Sequence, residues 1–182
     1  MLYERKTISS AGSYALPLDV YCPHVSTEID PDIQRPAIVI CPGGGYGFLS
    51  EREAEPVALA FNTLGFNTFI VWYRVAPHRY PRPQQDVAAA VAWVRAHAAE
   101  THTHPDKIAV LGFSAGGHCA GSLGVWWPKA ELWAEMGEML LPIIIAIIPV
   151  TVLVMVTAGK TTQALTSRKK SKEAAADDGI AE

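Results

Sequence analysis

Hydrophobic and polar positions alternate between two kinds of period along the first two thirds of the chain. Ala37-Ile38-Val39-Ile40-Cys41 is apolar with no polar alternation, as a strand buried on both faces requires. Asn67–Tyr73 and Lys107–Leu111 read the same way. Between them the period lengthens. Ala54, Val57, Ala58 and Phe61 recur at i, i+3, i+4 and i+7, which predicts a helix over Glu51–Leu64. Ser50 would cap that helix and Glu53 would close a capping box, with Gly65 ending it. A second helix is expected from about Gln84 to Glu100, with Val87, Ala90, Val91 and Val94 on one face. Residues 1–35 read as strand pieces and turns, and Ala15–Tyr21, which carries Pro17, suits an edge strand of an antiparallel start. Strand, helix, strand, helix, strand, helix is the order of a parallel sheet built with right-handed crossovers.

Two glycine-rich stretches interrupt this alternation at the ends of strands. The first is Gly112-Phe113-Ser114-Ala115-Gly116-Gly117-His118, which follows Lys107–Leu111 and leads into the small, apolar run Cys119–Val125. Gly-x-Ser-x-Gly between a buried strand and a helix is the pattern of a nucleophile elbow. The turn is so sharp that a side chain at either flanking glycine would meet the neighbouring strand or helix, and the strain lifts the serine hydroxyl above the sheet edge. A tight turn that merely carries serine is the bland alternative. The second stretch, Pro42-Gly43-Gly44-Gly45-Tyr46-Gly47, leaves backbone N–H groups bare toward an anion. It is not a phosphate loop, because Gly47 is followed by Phe48 and not by Lys-Ser/Thr. It is not a dinucleotide fingerprint, because the last glycine of that motif falls on Phe48. What remains is an oxyanion-hole loop of the HGGG type, with Pro42 in the histidine's place, or a plain glycine-rich turn between strand and helix.

Taken together, these segments resemble the α/β-hydrolase superfamily, and more narrowly the bacterial acetylxylan and other carbohydrate esterases of its esterase/lipase branch. The resemblance rests on Pro42–Tyr46, Glu53–Ala58, Tyr73–Pro77, Tyr80-Pro81, Asp86 and Gly112–His118, and covers about residues 10–128. It implies an incomplete α/β-hydrolase fold, a mostly parallel sheet with helices on both faces. It implies Ser114 as nucleophile, the amides of Gly44, Gly45 and Ala115 as the oxyanion hole, and Tyr46 in the substrate pocket. Arg74 and Asp86 read as scaffold, either a loop-anchoring ion pair or two solvated charges. The implied reaction is hydrolysis of short acyl, acetyl-type esters, including those of carbohydrates. No cofactor or metal is implied.

One feature departs from that family. The base and acid of a serine hydrolase of this fold follow the serine, and His118 is the one histidine after Ser114. It lies four residues on, in the elbow helix, where relatives carry a histidine that is not the base. His24 and His78 lie in loops ahead of the motif; His97, His102 and His104 flank a helix end. Nucleophile and oxyanion loop are therefore expected without their base and acid. The alternative to an esterase is a catalytically incomplete, non-enzymatic remnant.

Composition narrows the rest. At 182 residues one domain is expected, over 1–158, with a Lys-, Ala- and acid-rich disordered tail over 159–182. A net charge of −3 gives no ground for a nucleic-acid partner, and a small ester is the expected ligand. Cys22, Cys41 and Cys119 show no paired spacing, and Cys41 and Cys119, in apolar surroundings, read as small buried residues. No apolar leader stands at the start, so a cytoplasmic location is expected. Met139–Gly159 is free of charge. As a strand Ile143–Ile148 would continue the sheet; as a membrane span the run would be long enough, but Pro142, Pro149 and the following Arg168-Lys169-Lys170 argue for the strand.

Overall fold

The computed structural model describes residues 1–126. Its five strands are β1 (Leu2–Ser10), β2 (Tyr14–Cys22), β3 (Arg35–Cys41), β4 (Asn67–Val71) and β5 (Thr103–Gly112). They form one sheet in the order β1-β2-β4-β3-β5. β3 runs parallel to both β4 and β5, while β1, β2 and β4 pair antiparallel. The helices are α1 (Glu55–Thr63), α2 (Arg82–Ala96) and α3 (Ala115–Trp126). The run Met139–Gly159 and the tail over 159–182 lie outside the described residues. Among the described residues, no helix is long and apolar enough to cross a membrane.

The period-two alternation of the strands divides the core in two. Val39, Cys41, Phe69, Val71, Ile108 and Val110 face α2 and α3, against Val87, Ala90, Val91, Val94 and Leu123. Ile38, Ile40 and Ile70 face the other way, against Ala54, Ala58, Val57 and Phe61. This is the three-layer α/β/α arrangement, with one helix on one face and two on the other. It is the fold class read from the alternation, and its central strands and helical stripes lie where the periodicity put them.

Three local expectations need correction. Ala15–Tyr21 belongs to β2, which is an interior strand; the edge is β1. Pro17 is compatible with the interior because the ladder to β4 begins only at Leu18, opposite Val71. The helix expected from Glu51 is broken into a 3-10 turn over Glu51–Glu53 and an α-helix from Glu55. Pro56 sets that start, since its missing N–H is harmless only in the first turn. Ser50 therefore makes no side-chain cap, and the Glu53 carboxylate instead accepts the Gly43 N–H at 2.8 Å. β5 ends the strand order among the described residues and is not flanked on both sides there.

Arg74 and Asp86, left open by the sequence, form a buried ion pair. Asp86 is fully buried and accepts from the Arg74 guanidinium at 2.7 and 2.9 Å, from the Arg74 backbone N–H at 2.8 Å and from Ser10 Oγ at 2.5 Å. The carboxylate thus joins the start of α2, the segment after β4 and the end of β1. The Arg74 guanidinium also lies 4.5 Å from the centroid of the Tyr14 ring.

Cys41 and Cys119 are buried, as expected, Cys22 is buried as well, and none is bonded to another. Burial pushes Cys22 up to about 12 and Cys41 well above its ordinary value.

Two outcomes follow. Asp86→Ala should lower stability by about 3–5 kcal/mol in urea unfolding, because it leaves a buried guanidinium unpaired; a loss below about 1 kcal/mol would show that the pair anchors nothing. For the thiols, a folded value above the unfolded one means stability is full below the unfolded value of 9.0 and lost as pH rises toward about 12. The urea midpoint should therefore fall across that window, and less steeply in Cys22→Ala than in the parent chain.

Candidate active site

Ser114 stands at the turn between β5 and α3, exposed, with a φ of +49°. That value lies in the left-handed region, which a non-glycine residue adopts only where its surroundings impose it. The surroundings here are backbone. A Cβ on Gly112 would overlap the Gly116 carbonyl and come within 2.6 Å of the Gly117 nitrogen. A Cβ on Gly116 would overlap the Cys41 carbonyl oxygen and lie 2.6 Å from that of Pro42. The elbow helix thus rests directly on the end of β3, tied by Phe113 N–H to the Cys41 carbonyl at 3.2 Å. The turn itself is closed by Gly116 N–H donating to the Phe113 carbonyl at 2.8 Å.

The same end of β3 launches the glycine loop, so the two glycine-rich stretches meet. A Cβ on Gly43 would stand 3.2 Å from the Ser114 Cβ. The Gly43 amide is held by Glu53, and Tyr73 Oη–H donates to the Pro42 carbonyl at 2.5 Å. Gly44 has a φ of +132° and Gly45 one of +62°. Gly47 N–H donates to the Gly44 carbonyl at 3.0 Å and Ser50 N–H to that of Gly43 at 2.9 Å, which curls the loop back on itself. Among the described residues, the amides of Gly44 and Gly45 have no acceptor, and Ala115 is the first residue of α3, where helix amides lack an internal partner. Such amides are suited to an anion.

Tyr46 links the two stretches through their side chains. Its hydroxyl lies 2.8 Å from His118 Nδ1, the rings meeting edge-on at 89°. His118, which the resemblance does not make the base, turns its ring to Tyr46. Burial drives the Tyr46 phenol well above its ordinary value, so it keeps its proton. A cavity of about 620 Å³ opens beside this pair, bounded by Gly45, Tyr46, His78, Tyr80, Gln84 and His118. Among the described residues, Ser114 Oγ has no hydrogen-bonded base. Nor is there any group of three or more His, Cys, Asp or Glu placed to hold a metal ion.

Comparison with known proteins settles the lineage. The profile of the BD-FAE family matches residues 18–174. The chain belongs to the BD-FAE family. Its match runs past the motif-bearing part of the sequence. An α/β-hydrolase enzyme, MGS-M1, from a Medee basin deep-sea metagenome library is 42% identical with a TM-score of 0.62, over 67% of this chain and 51% of that one. Carboxylesterase NlhH of Mycobacterium tuberculosis is 36% identical over 63% of this chain and 35% of its own length. The acetylxylan esterase of Xylanibacter ruminicola is 34% identical over 50% and 19%. This BD-FAE chain therefore spans about a third or less of these two curated relatives and half of the solved one.

Two residues of the site carry no sequence signal. Gln84 sits in a run of polar residues at a helix start, where nothing in the period marks it as buried. Glu53 fits a capping box as well as it fits the Gly43 amide.

If the close backbone contacts hold the elbow, Gly116→Ala should lower stability by at least about 3 kcal/mol, at the upper end of overpacking costs. Gly121, also in α3, has open space around its Cα, and Gly121→Ala should raise stability by about 0.5–1 kcal/mol. Equal urea midpoints for the two variants would contradict the packing described.

Proposed function

We propose that this chain carries the acyl-accepting part of a serine-type carboxylic-ester hydrolase for short acyl, acetyl-type esters, carbohydrate acetates among them. Ser114 is the nucleophile. Its Oγ attacks the ester carbonyl, and the amides of Gly44, Gly45 and Ala115 receive the oxyanion that forms. Tyr46 lines the pocket for the substrate. The observation that carries this reading is the strained, exposed Ser114 set against the glycine loop. Family membership and esterase relatives support it. Small esters are the ligands; the net charge favours no nucleic acid.

A second reading has its own observation. His118, the one histidine after Ser114, is engaged by Tyr46. With no base at Ser114 among the described residues, the oxyanion site and substrate positioning alone leave ~10³–10⁴-fold over water, far below a working enzyme. On that reading the chain by itself binds esters and turns them over poorly.

Incubation with p-nitrophenyl acetate separates these. An acetyl adduct should form slowly on Ser114, located by peptide mass spectrometry, and vanish in Ser114→Ala. Release of p-nitrophenol should stay close to background. An adduct on another residue would overturn the assignment of Ser114. Turnover at an ordinary esterase rate, lost in Ser114→Ala, would show a recruited histidine, with His78 the first to replace and His118 the second.

A further inference from the structure

The cavity beside Tyr46 carries one sign of charge. Arg79 lines it together with His78 and His118, and among the described residues no Asp or Glu does. Two carboxylates on the neighbouring elements are engaged elsewhere. Asp86, on the helix that forms one wall, is paired with Arg74, and Glu53 accepts the Gly43 N–H. The whole chain has a net charge of −3, so the positive sign is local to this wall. Pro83, in the first turn of α2, belongs to the same wall, at the end where a helix carries its partial positive charge.

Arg79 is placed by its backbone and not by a partner for its charge. His78 N–H donates to the Val75 carbonyl at 3.0 Å and Arg82 N–H to the Arg79 carbonyl at 2.9 Å, which closes the turn on both sides of it. Ala76 N–H donates to the Tyr46 carbonyl at 2.7 Å and ties that turn to the glycine loop. Among the described residues, the exposed Arg79 guanidinium has no hydrogen bond and no ion pair. The remaining wall is largely apolar, with the rings of Tyr80 and Trp126 meeting edge-on at 5.5 Å. A fixed cation at the edge of aromatic surface suits an anion with an apolar body. At about 620 Å³ the cavity is of the size that takes a whole small ligand, more than an acetyl group fills. It therefore suits the other half of an acetyl-type ester, the alcohol.

We infer that Arg79 is a specificity residue whose guanidinium receives a carboxylate on the alcohol half of the ester, so that the cavity takes acyl esters of apolar hydroxy acids. This rests on the esterase reading of Ser114 for its catalytic meaning, and on the cavity alone for binding.

The test measures binding in the full chain carrying Ser114→Ala, so that hydrolysis plays no part. The probes are 4-acetoxybenzoate and its methyl ester, which differ in the charge, titrated by ligand-observed NMR at low ionic strength. The pH is set above the ordinary histidine range, so that His78 and His118 add no charge of their own. The carboxylate should bind about 3–5-fold more tightly than the methyl ester, the span of an ion pair open to solvent, and the preference should shrink as salt is added. Arg79→Met keeps the length without the charge, and should abolish the preference while leaving affinity for the methyl ester unchanged. Arg79→Lys keeps the charge and should retain a preference in the same direction. Equal affinity for the two probes in the parent, no binding of either, or loss of the preference in Arg79→Lys would each overturn the inference. So would a preference that persists in Arg79→Met, which would place the carboxylate on the glycine-loop amides instead. Failure of the esterase reading would appear elsewhere, as the absence of an acyl adduct on Ser114, and would leave this binding result standing.

Discussion

Everything at the candidate site depends on how closely two backbones approach at the end of β3. Gly116 lies against the carbonyls of Cys41 and Pro42 with no room for a Cβ, and Gly112 lies under the first turn of α3 with none either. These contacts hold the strand-to-helix turn in a shape that puts Ser114 at a positive φ. They also place the turn beside the glycine loop, because the loop leaves the same strand one residue later. A single packing constraint therefore sets the Ser114 turn beside Gly43, the first glycine of the loop. Neither stretch would form a site alone.

The surrounding scaffold makes that constraint durable. The Glu53 carboxylate and the Tyr73 hydroxyl hold the start of the glycine loop from two sides. Asp86 fastens the segment after β4, which supplies His78 and Tyr80 to the cavity, to the helix that supplies Gln84. Because Asp86 and Arg74 are both buried, the pair is sensitive to loss of either partner, whatever its net worth against an apolar replacement. Loop, elbow and cavity wall are thus tied to one sheet end by charged or hydrogen-bonded anchors and not by apolar packing alone.

Much of this was legible in the sequence where steric necessity acts locally. The elbow needs glycine on both sides of Ser114, and a doubly buried strand needs an unbroken apolar run, so Ala37–Cys41 and Gly112–Gly116 announce themselves. What escaped depends on contacts distant in the chain. Glu53 has the spacing of a capping residue, and only the fold shows it reaching the amide of Gly43. Pro17 reads as an edge marker because the register that makes it harmless is set by β4. His118 has no partner until the glycine loop brings Tyr46 to it. Gln84 is polar at a helix start, and its burial follows from α3 packing across it. The fold class follows from periodicity, whereas the second layer of the site follows from tertiary placement.

The elbow and the glycine loop work as one site only if the hydroxyl and the amides act on one ligand atom. A crystal structure of the chain after prolonged exposure to diethyl p-nitrophenyl phosphate measures this directly. The phosphorus should be bonded to Ser114 Oγ, with its phosphoryl oxygen about 2.7–3.1 Å from the amide nitrogens of Gly44, Gly45 and Ala115. A phosphoryl oxygen turned to solvent, or a phosphorylated residue other than Ser114, would mean that the elbow and the glycine loop do not form one oxyanion-binding site.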